Sequence, residues 1–431
     1  MSYLEMKSLV DRSLVPVTNP ETELKCLVKI WPSEELRGID TSVPLPTSVC
    51  LLVDCSTSML SDGKHQAAID AAKAIIDTLS ATQRVSLVAF QSKVRVLLTD
   101  LQATEENREQ MKQAIDELHS LMGGSTNMTD GIKVATSTLR KSETDAKIII
   151  LLSDGAADFP ETAEGSALEA TAQNIQLFAV GIGSDYKADQ LLRMVTPSNG
   201  TVFDATSVAK ITETFEKLAS RIESFVASNA QLEIKFPEEV EAGLAYKASP
   251  EQAFVGNMQP DAGRVVHLRV GSLEQDKAYS FMFLATVPQL AVGAFKVCDI
   301  KLVFDVPHNS IVGATIEQSL NITYTDDRRA AEELNGEVME VFRRVSITQL
   351  AEKFVGAYEQ ADNEAAAKYL KILIKRYDEI GDLATKSHYV AIQQDFLAGG
   401  KITNEMLNAS VVASTVVSGS GELPCIVDDS F

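Results

Sequence analysis

Cysteine is scarce in this chain: five residues in 431, at Cys26, Cys50, Cys55, Cys298 and Cys425, with no C-x-x-C pair. An odd, scattered set argues against both a disulfide framework and a cysteine-based zinc site. It points to a reducing compartment, so a cytoplasmic location is expected. Histidine is equally sparse, and His65, His119, His267, His308 and His388 share no metal-ligand spacing. No P-loop lysine motif occurs. No run approaches the ~18 apolar residues of a spanning helix. The opening Met1–Lys7 has no basic start followed by an apolar core, and an initiating Met argues against processing from a longer precursor. Positive charge is also short, with 39 Lys and Arg against 60 Asp and Glu, a net charge of −21. Such a surface repels phosphate backbones and anionic lipid. Nucleic acid and direct membrane insertion are therefore not expected, whereas divalent cations and basic protein surfaces suit it.

The length implies two to four domains. From Ser48 to about residue 226 the apolar pattern alternates between strand and helix. Ser48–Val53, Ile148–Leu152 and Ile175–Val180 are unbroken apolar runs, as strands buried on both faces require. Between them, Ala68, Ala72, Ile75 and Leu79 repeat at helical spacing, as do Met111, Ile115, Leu118 and Leu121. Arg84–Phe90 and Val94–Leu98 are rich in β-formers, with Ser92-Lys93 as their turn. Thr201–Phe203 reads as a further strand. Ile211, Phe215, Leu218, Ile222 and Phe225 predict a closing amphipathic helix. This alternation implies a doubly wound, mostly parallel sheet, whose ligands bind at the carboxyl ends of its strands.

Three loops fall at those ends. Asp54-Cys55-Ser56-Thr57-Ser58 follows the first strand, Gly123-Gly124-Ser125-Thr126-Asn127 precedes a helix, and Ser153-Asp154-Gly155 follows a buried strand. Two carboxylates and three hydroxyls then converge, an oxygen-only donor set suited to a small hard cation that keeps some of its own water. Mg²⁺ fits best, and Mn²⁺ also fits.

In these loops the sequence resembles the von Willebrand factor A-type family, also called integrin I-type domains. Asp54, Ser56 and Ser58 match its D-x-S-x-S motif. Thr126 matches its distant threonine and Asp154 its second aspartate, while Ala179–Gly183 looks like its fifth strand and following turn. The resemblance implies a metal-ion-dependent adhesion site at Asp54, Ser56, Ser58, Thr126 and Asp154. It implies a protein partner that donates an Asp or Glu to the metal, often with a shift of the final helix. The function expected is thus metal-dependent protein binding and not catalysis. No small-molecule ligand is expected.

Other readings rest on less. Gly181-Ile182-Gly183 is half of a dinucleotide fingerprint, with Tyr186 where the third glycine belongs. Cys55 sits in the metal loop without a nearby basic residue to lower its pKa, and reads as a small filler. Within the same family, an accessory subunit of a MoxR-type AAA+ ATPase or a chelatase is an alternative role. A metal-dependent hydrolase needs a general base that cannot be identified here.

On either side of this domain the period changes. Leu232, Ile234 and Phe236 alternate with polar residues, as do Val266, Leu268 and Val270. Tyr279–Val287, Ile300–Val306 and Leu320, Ile322 and Tyr324 continue the pattern, which is that of an antiparallel β-sandwich. Leu24, Cys26, Val28 and Ile30 form an amphipathic strand that must join a sheet elsewhere. The α/β domain is therefore expected as an insertion in the sandwich. Val338, Val341, Val345, Leu350 and Phe354 start a set of three helices. The second carries Ala366, Leu370, Leu373, Tyr377 and Ile380, and the third Leu383, Val390 and Leu397. Asp362-Asn363 and Gly381-Asp382 separate them. The expected organisation is an N-terminal segment over 1–45, the A-type domain over 46–226, the sandwich over 227–328, a three-helix bundle on it over 329–398, and a flexible tail over 399–431. In that tail Val411, Val412, Val416 and Val417 suit strand addition, and Ser414, Thr415 and Ser418 suit phosphorylation.

Overall fold

The structure, a computed structural model, describes residues 3–40, 45–144, 146–155, 157–183, 186–205, 217–398 and 400–415. The chain begins in a sandwich. Strands β1 (Leu4–Val10), β2 (Leu14–Pro16) and β3 (Glu21–Pro32) come first, followed by the one-turn helix α1 (Glu34–Arg37). It returns there only with β10 (Phe225–Lys235), β11 (Glu241–Ser249), β12 (Ala253–Asn257), β13 (Val265–Glu274), β14 (Tyr279–Pro288), β15 (Gly293–Val306) and β16 (Ile311–Thr325). One sheet runs β1-β3-β14-β11-β12, the other β13-β10-β15-β16-β2. The strand before the insertion is fully paired. Register in β3 and β14 is antiparallel from Tyr279 opposite Ile30 to Pro288 opposite Glu21. That register puts Leu24, Cys26, Val28 and Ile30 in the same core as Leu232, Ile234, Phe281, Phe283 and Ile300. The period of two is what allows one face of each strand to reach it.

Between β3 and β10 lies a six-stranded sheet. Its strands are β4 (Thr47–Asp54), β5 (Arg84–Phe90), β6 (Val94–Gln102), β7 (Ala146–Ser153), β8 (Ile175–Ile182) and β9 (Val202–Ala205). Their order is β6-β5-β4-β7-β8-β9, parallel throughout except for β6 at the edge. All eight residues of β4 and of β8 are buried, because helices cover both faces. On one face pack α2 (Lys64–Thr78), α3 (Glu105–Asp116) and α7 (217–223). On the other pack α4 (Met128–Leu139), α5 (Pro160–Ala172) and α6 (Ala188–Val195). The chain leaves β4 for β5 on one side and comes back to β7 on the other. The end of β4 is thus the switch point where such sheets form a crevice.

The predicted closing helix differs in its bounds. Leu218 and Ile222 are buried in it, but Phe225 opens β10, and Ile211 and Phe215 lie outside the described residues. Arg221 of α7 fixes this junction, reaching Glu251 and Glu274 of the sandwich at 2.9 Å each. Burial works to raise the Glu251 carboxyl, yet Arg221 and Lys247 outweigh it and hold the group at about 2.

After β16 come α8 (Gly336–Glu359), α9 (Asn363–Glu379), α10 (Leu383–Leu397) and α11 (Asn404–Thr415). Asp362 and Asp382 accept the Ala365 and Thr385 N–H groups at 3.0 Å, which starts α9 and α10 where those breaks were expected. Three expectations need correcting. Leu383 and Leu397 are 64% and 74% exposed, and α10 instead buries Tyr389 and Ile392. The bundle does not rest on the sandwich alone. Val338 and Val345 pack on Leu27 and Met282 of the sandwich, while Ile347, Ala351 and Phe354 join the core under α4–α6. Finally, residues 404–415 are a packed helix and not a tail. Leu407 and Val411 are buried in that shared core. The Asn408 side chain accepts from the Ala188 N–H and donates to the Tyr186 carbonyl. Serine, threonine and valine are weak helix formers, and tertiary packing overrides that preference here. Ser414 is buried with its hydroxyl on the Val411 carbonyl, which removes it as a phosphorylation site in the folded chain. Val416, Val417 and Ser418 lie outside the described residues.

Candidate metal centre

β4 ends on Asp54 inside the protein. The carboxylate is fully buried, with Oδ1 accepting the Ser56 N–H at 2.8 Å and Oδ2 accepting the Ser153 hydroxyl at 2.6 Å. The backbone bond from Ser56 closes a tight turn that sends the next residues back over the strand end. A short 3₁₀ turn over Thr57–Leu60 follows, and it brings the Ser56 and Ser58 hydroxyls to 3.1 Å from each other. Met59 is buried behind them and Leu60 is 58% exposed.

The second loop is tied onto the first. The Thr57 N–H and hydroxyl both donate to the Gly124 carbonyl, at 3.0 and 2.9 Å, and the Gly123 N–H donates to the Cys55 carbonyl at 2.8 Å. Gly124 has φ of +90°, and a Cβ there would stand 2.5 Å from the Ser92 hydroxyl. Only glycine lets the loop lie so close to the β5–β6 hairpin. Ser125 faces that hairpin, its N–H on the Ser92 hydroxyl at 2.9 Å. Thr126 is 7% exposed. Its N–H donates to the Asp158 carboxylate at 3.0 Å, and its carbonyl accepts the Asp158 N–H at 3.1 Å.

The third loop leaves β7, the neighbour of β4. Asp154 is 4% exposed, and its Oδ2 lies 3.3 Å from the Lys64 ammonium at the start of α2. Asp154 is close enough for its charge to act on Asp54. Burial raises the Asp54 carboxyl to about 6, with Asp154 adding to the rise against the lowering effect of the Ser153 and Ser56 hydrogen bonds. A buried carboxylate held by neutral donors, beside a second carboxylate, is an environment that suits a cation. The donors are hard oxygens, and among the described residues no three His, Cys, Asp or Glu side chains converge as a transition-metal centre would need. The set fits Mg²⁺ or Mn²⁺ chemically. All five residues singled out in the sequence, Asp54, Ser56, Ser58, Thr126 and Asp154, lie at the same end of adjacent elements.

Sequence reasoning missed three participants. Ser153 was visible only as part of the S-D-G motif, Asp158 only as an acidic residue four places further on, and Lys64 left no signal beyond its position in the helix. Cys55 is buried, and burial followed by the Asp54 charge pushes its thiol up to about 12, so it is not a thiolate at neutral pH.

A mostly parallel sheet between two helical layers, with hydroxyl and carboxylate loops at its switch point, defines an α/β domain of the class whose ligand crevices lie outside the strand ends. Residues 48–217 match the family described as von Willebrand factor type A domain. The chain therefore carries a von Willebrand factor type A domain, a module that typically mediates protein–protein interaction. An uncharacterised protein of Synechocystis sp. is 23% identical over 270 residues, covering 61% of this chain and 62% of that protein. Inter-alpha-trypsin inhibitor heavy chain H2 of Sus scrofa is 30% identical over 169 residues, covering 36% of this chain and 18% of the relative. The chain thus spans less than two thirds of either relative. The fold also extends to a solved von Willebrand factor type A protein from Catenulispora acidiphila. It superimposes with a TM-score of 0.79 at 19% identity, over 96% of this chain and 97% of that one. Among the described residues no helix is long and apolar enough to cross a membrane.

Proposed function

We propose that this chain is a metal-dependent protein-binding module. In this reading Asp54, Ser56, Ser58, Thr126 and Asp154 hold one Mg²⁺, with Mn²⁺ as a substitute, and a partner's Asp or Glu completes the ion's shell. The supporting observation is the pair of buried carboxylates beside paired hydroxyls at the switch point of the sheet. Protein ligands of this kind leave a divalent ion with open positions, and Mg²⁺ ordinarily fills such positions with exchangeable water. A partner carboxylate that displaces one of those waters makes a bond that salt screens poorly. The surroundings favour a protein partner. Leu60 is 58% exposed and Phe159 71% exposed, one two residues after Ser58 and the other next to Asp158. Lys93 and Arg95 are exposed on the hairpin that adjoins Gly124. On a chain of net charge −21, this is a local basic and apolar rim suited to an acidic segment with apolar neighbours.

The role is binding and not catalysis. It is tested by capturing partners from a native extract on the immobilised full chain in Mg²⁺, in EDTA, and with Asp54→Ala. A partner held in Mg²⁺ and released by EDTA and by the variant supports the reading. Capture that survives both overturns it.

A further inference from the structure

Asn408 conflicts with its position. It lies inside α11, where asparagine is a weak helix former, and it is buried, with 9% of its surface exposed. Burying an amide is unfavourable unless its hydrogen bonds are satisfied. Here both ends of the amide are spent on one distant loop. Its Oδ1 accepts the Ala188 N–H at 3.2 Å, 220 residues away in sequence, and its Nδ2 donates to the Tyr186 carbonyl. When a local preference conflicts with a position, the conflict points to a role. The loop itself is seated with care. A Cβ on Gly181 would stand 2.3 Å from the Tyr186 ring, so glycine at that place leaves the room the ring needs. Gly181, part of the glycine motif that ends β8, therefore serves to hold the loop over 186–188.

The same loop touches the metal centre. Between the two residues that Asn408 holds, the Lys187 N–H donates to the Asp154 carbonyl at 2.9 Å. A line of contact thus runs from α11 through 186–188 to the backbone of Asp154, one of the five proposed ligands. At the other end of α11 the Thr415 carbonyl accepts the Gln252 N–H at 2.8 Å, beside the Glu251 that holds Arg221 of α7. Among the described residues the buried apolar side chains of α11 are Leu407 and Val411. A helix of weak intrinsic preference with so small an apolar anchor opens at low cost, so its polar contacts decide how firmly it is docked. We infer that α11 is a latch on the metal centre, with Asn408 as a positioning residue. Docked, α11 holds the Asp154 loop where the cation needs it, so cation binding and docking of α11 strengthen each other. This rests on the metal-site reading above and deepens it by naming an element that regulates the site.

Coupling of this kind is reciprocal, which a merely structural asparagine would not show. The test uses the full chain and Mn²⁺. Free Mn²⁺ is followed by its electron paramagnetic resonance signal, and amide hydrogen exchange of residues 404–415 by mass spectrometry. In the wild type, saturating Mn²⁺ should slow exchange in 404–415 roughly tenfold. Asn408→Ala should bind Mn²⁺ roughly tenfold more weakly, the lower end for contacts that orient a metal ligand, and in it Mn²⁺ should no longer slow that exchange. Alanine is the better helix former, so such a loss does not come from a weaker helix. Leu232→Ala, in the sandwich core, lowers stability and should bind Mn²⁺ as the wild type does. Asn408→Asp, which keeps an acceptor for the Ala188 N–H, repeats the measurement where the alanine variant does not fold, with a loss in the same direction. Exchange in 404–415 unmoved by bound Mn²⁺, wild-type affinity in Asn408→Ala, or an equal loss in Leu232→Ala would overturn the latch while leaving the metal centre intact. A wild-type chain that binds no Mn²⁺ overturns both.

Discussion

Asp158 grips the backbone of Thr126 on both sides of its Cα. The carboxylate takes the Thr126 N–H at 3.0 Å, and the Asp158 N–H donates to the Thr126 carbonyl at 3.1 Å. Asp158 thereby fixes the loop that carries Thr126 without being one of the five proposed ligands. Such orienting contacts typically govern affinity by about 10–100-fold. Asp158→Ala should therefore weaken Mn²⁺ binding by roughly that factor while leaving the melting temperature nearly unchanged. A titration showing wild-type affinity would remove Asp158 from the account.

Phe159 follows directly, and it is the most exposed aromatic side chain near the centre, at 71%. If the rim contacts the partner, Phe159→Ala should lower capture of the Mg²⁺-dependent partner, by about 1–2 kcal/mol for a contact of this type. Mn²⁺ affinity should not change. Equal capture by the variant would place the partner elsewhere around the metal.

Helix α11 provides a separate test, this time of packing. Leu407 is 5% exposed in the core shared by the bundle and the α/β domain. Leu407→Ala should cost about 2–4 kcal/mol, as removal of a buried leucine side chain does. Urea unfolding measures it. A change of less than about 0.5 kcal/mol, the range of ordinary surface substitutions, would return residues 404–415 to the status of a tail.

Much of this architecture could be read before any coordinates. Runs such as Ile148–Leu152 are apolar at every position because both faces are covered, and β3 alternates at Leu24, Cys26, Val28 and Ile30 because that face enters the sandwich core, while Leu27 on its other face meets α8. The five proposed ligands were legible because three short motifs each sit at a strand end or a helix start. What escaped depended on contacts distant in sequence. Lys64 and Asp154 are 90 positions apart, and Asn408 lies 222 from the Tyr186 carbonyl it caps. Helix α11 was missed because its composition is poor for helix and its stability comes from those distant partners. Helix α10 was misread because Leu383 and Leu397 fall at apolar spacing on the wrong face, while Tyr389 supplies the burial.

Glu352 of α8 offers a pH signature. Burial raises its carboxyl to about 7, Asp189 adds to the rise, and Arg193 opposes it. A raised carboxyl binds its proton more tightly in the folded chain than in the unfolded one, whose value is near 4.5. Between about pH 4.5 and 7 the folded state therefore holds more protons, so this group's contribution to stability falls as pH rises through that window. Glu352→Gln should flatten that part of the profile and raise stability at pH 8. Chemical denaturation at pH 5, 6, 7 and 8 checks it. A variant with the wild-type slope would show that Glu352 is not the group responsible.

The central claim is that five oxygen-bearing side chains at the end of β4 and its neighbours hold one divalent cation. Isothermal calorimetry of Mn²⁺ into the full chain and into Asp54→Ala tests it most directly. The account predicts a single site in the wild type and no tight binding in the variant. Equal binding by both proteins, or none by the wild type, would contradict it.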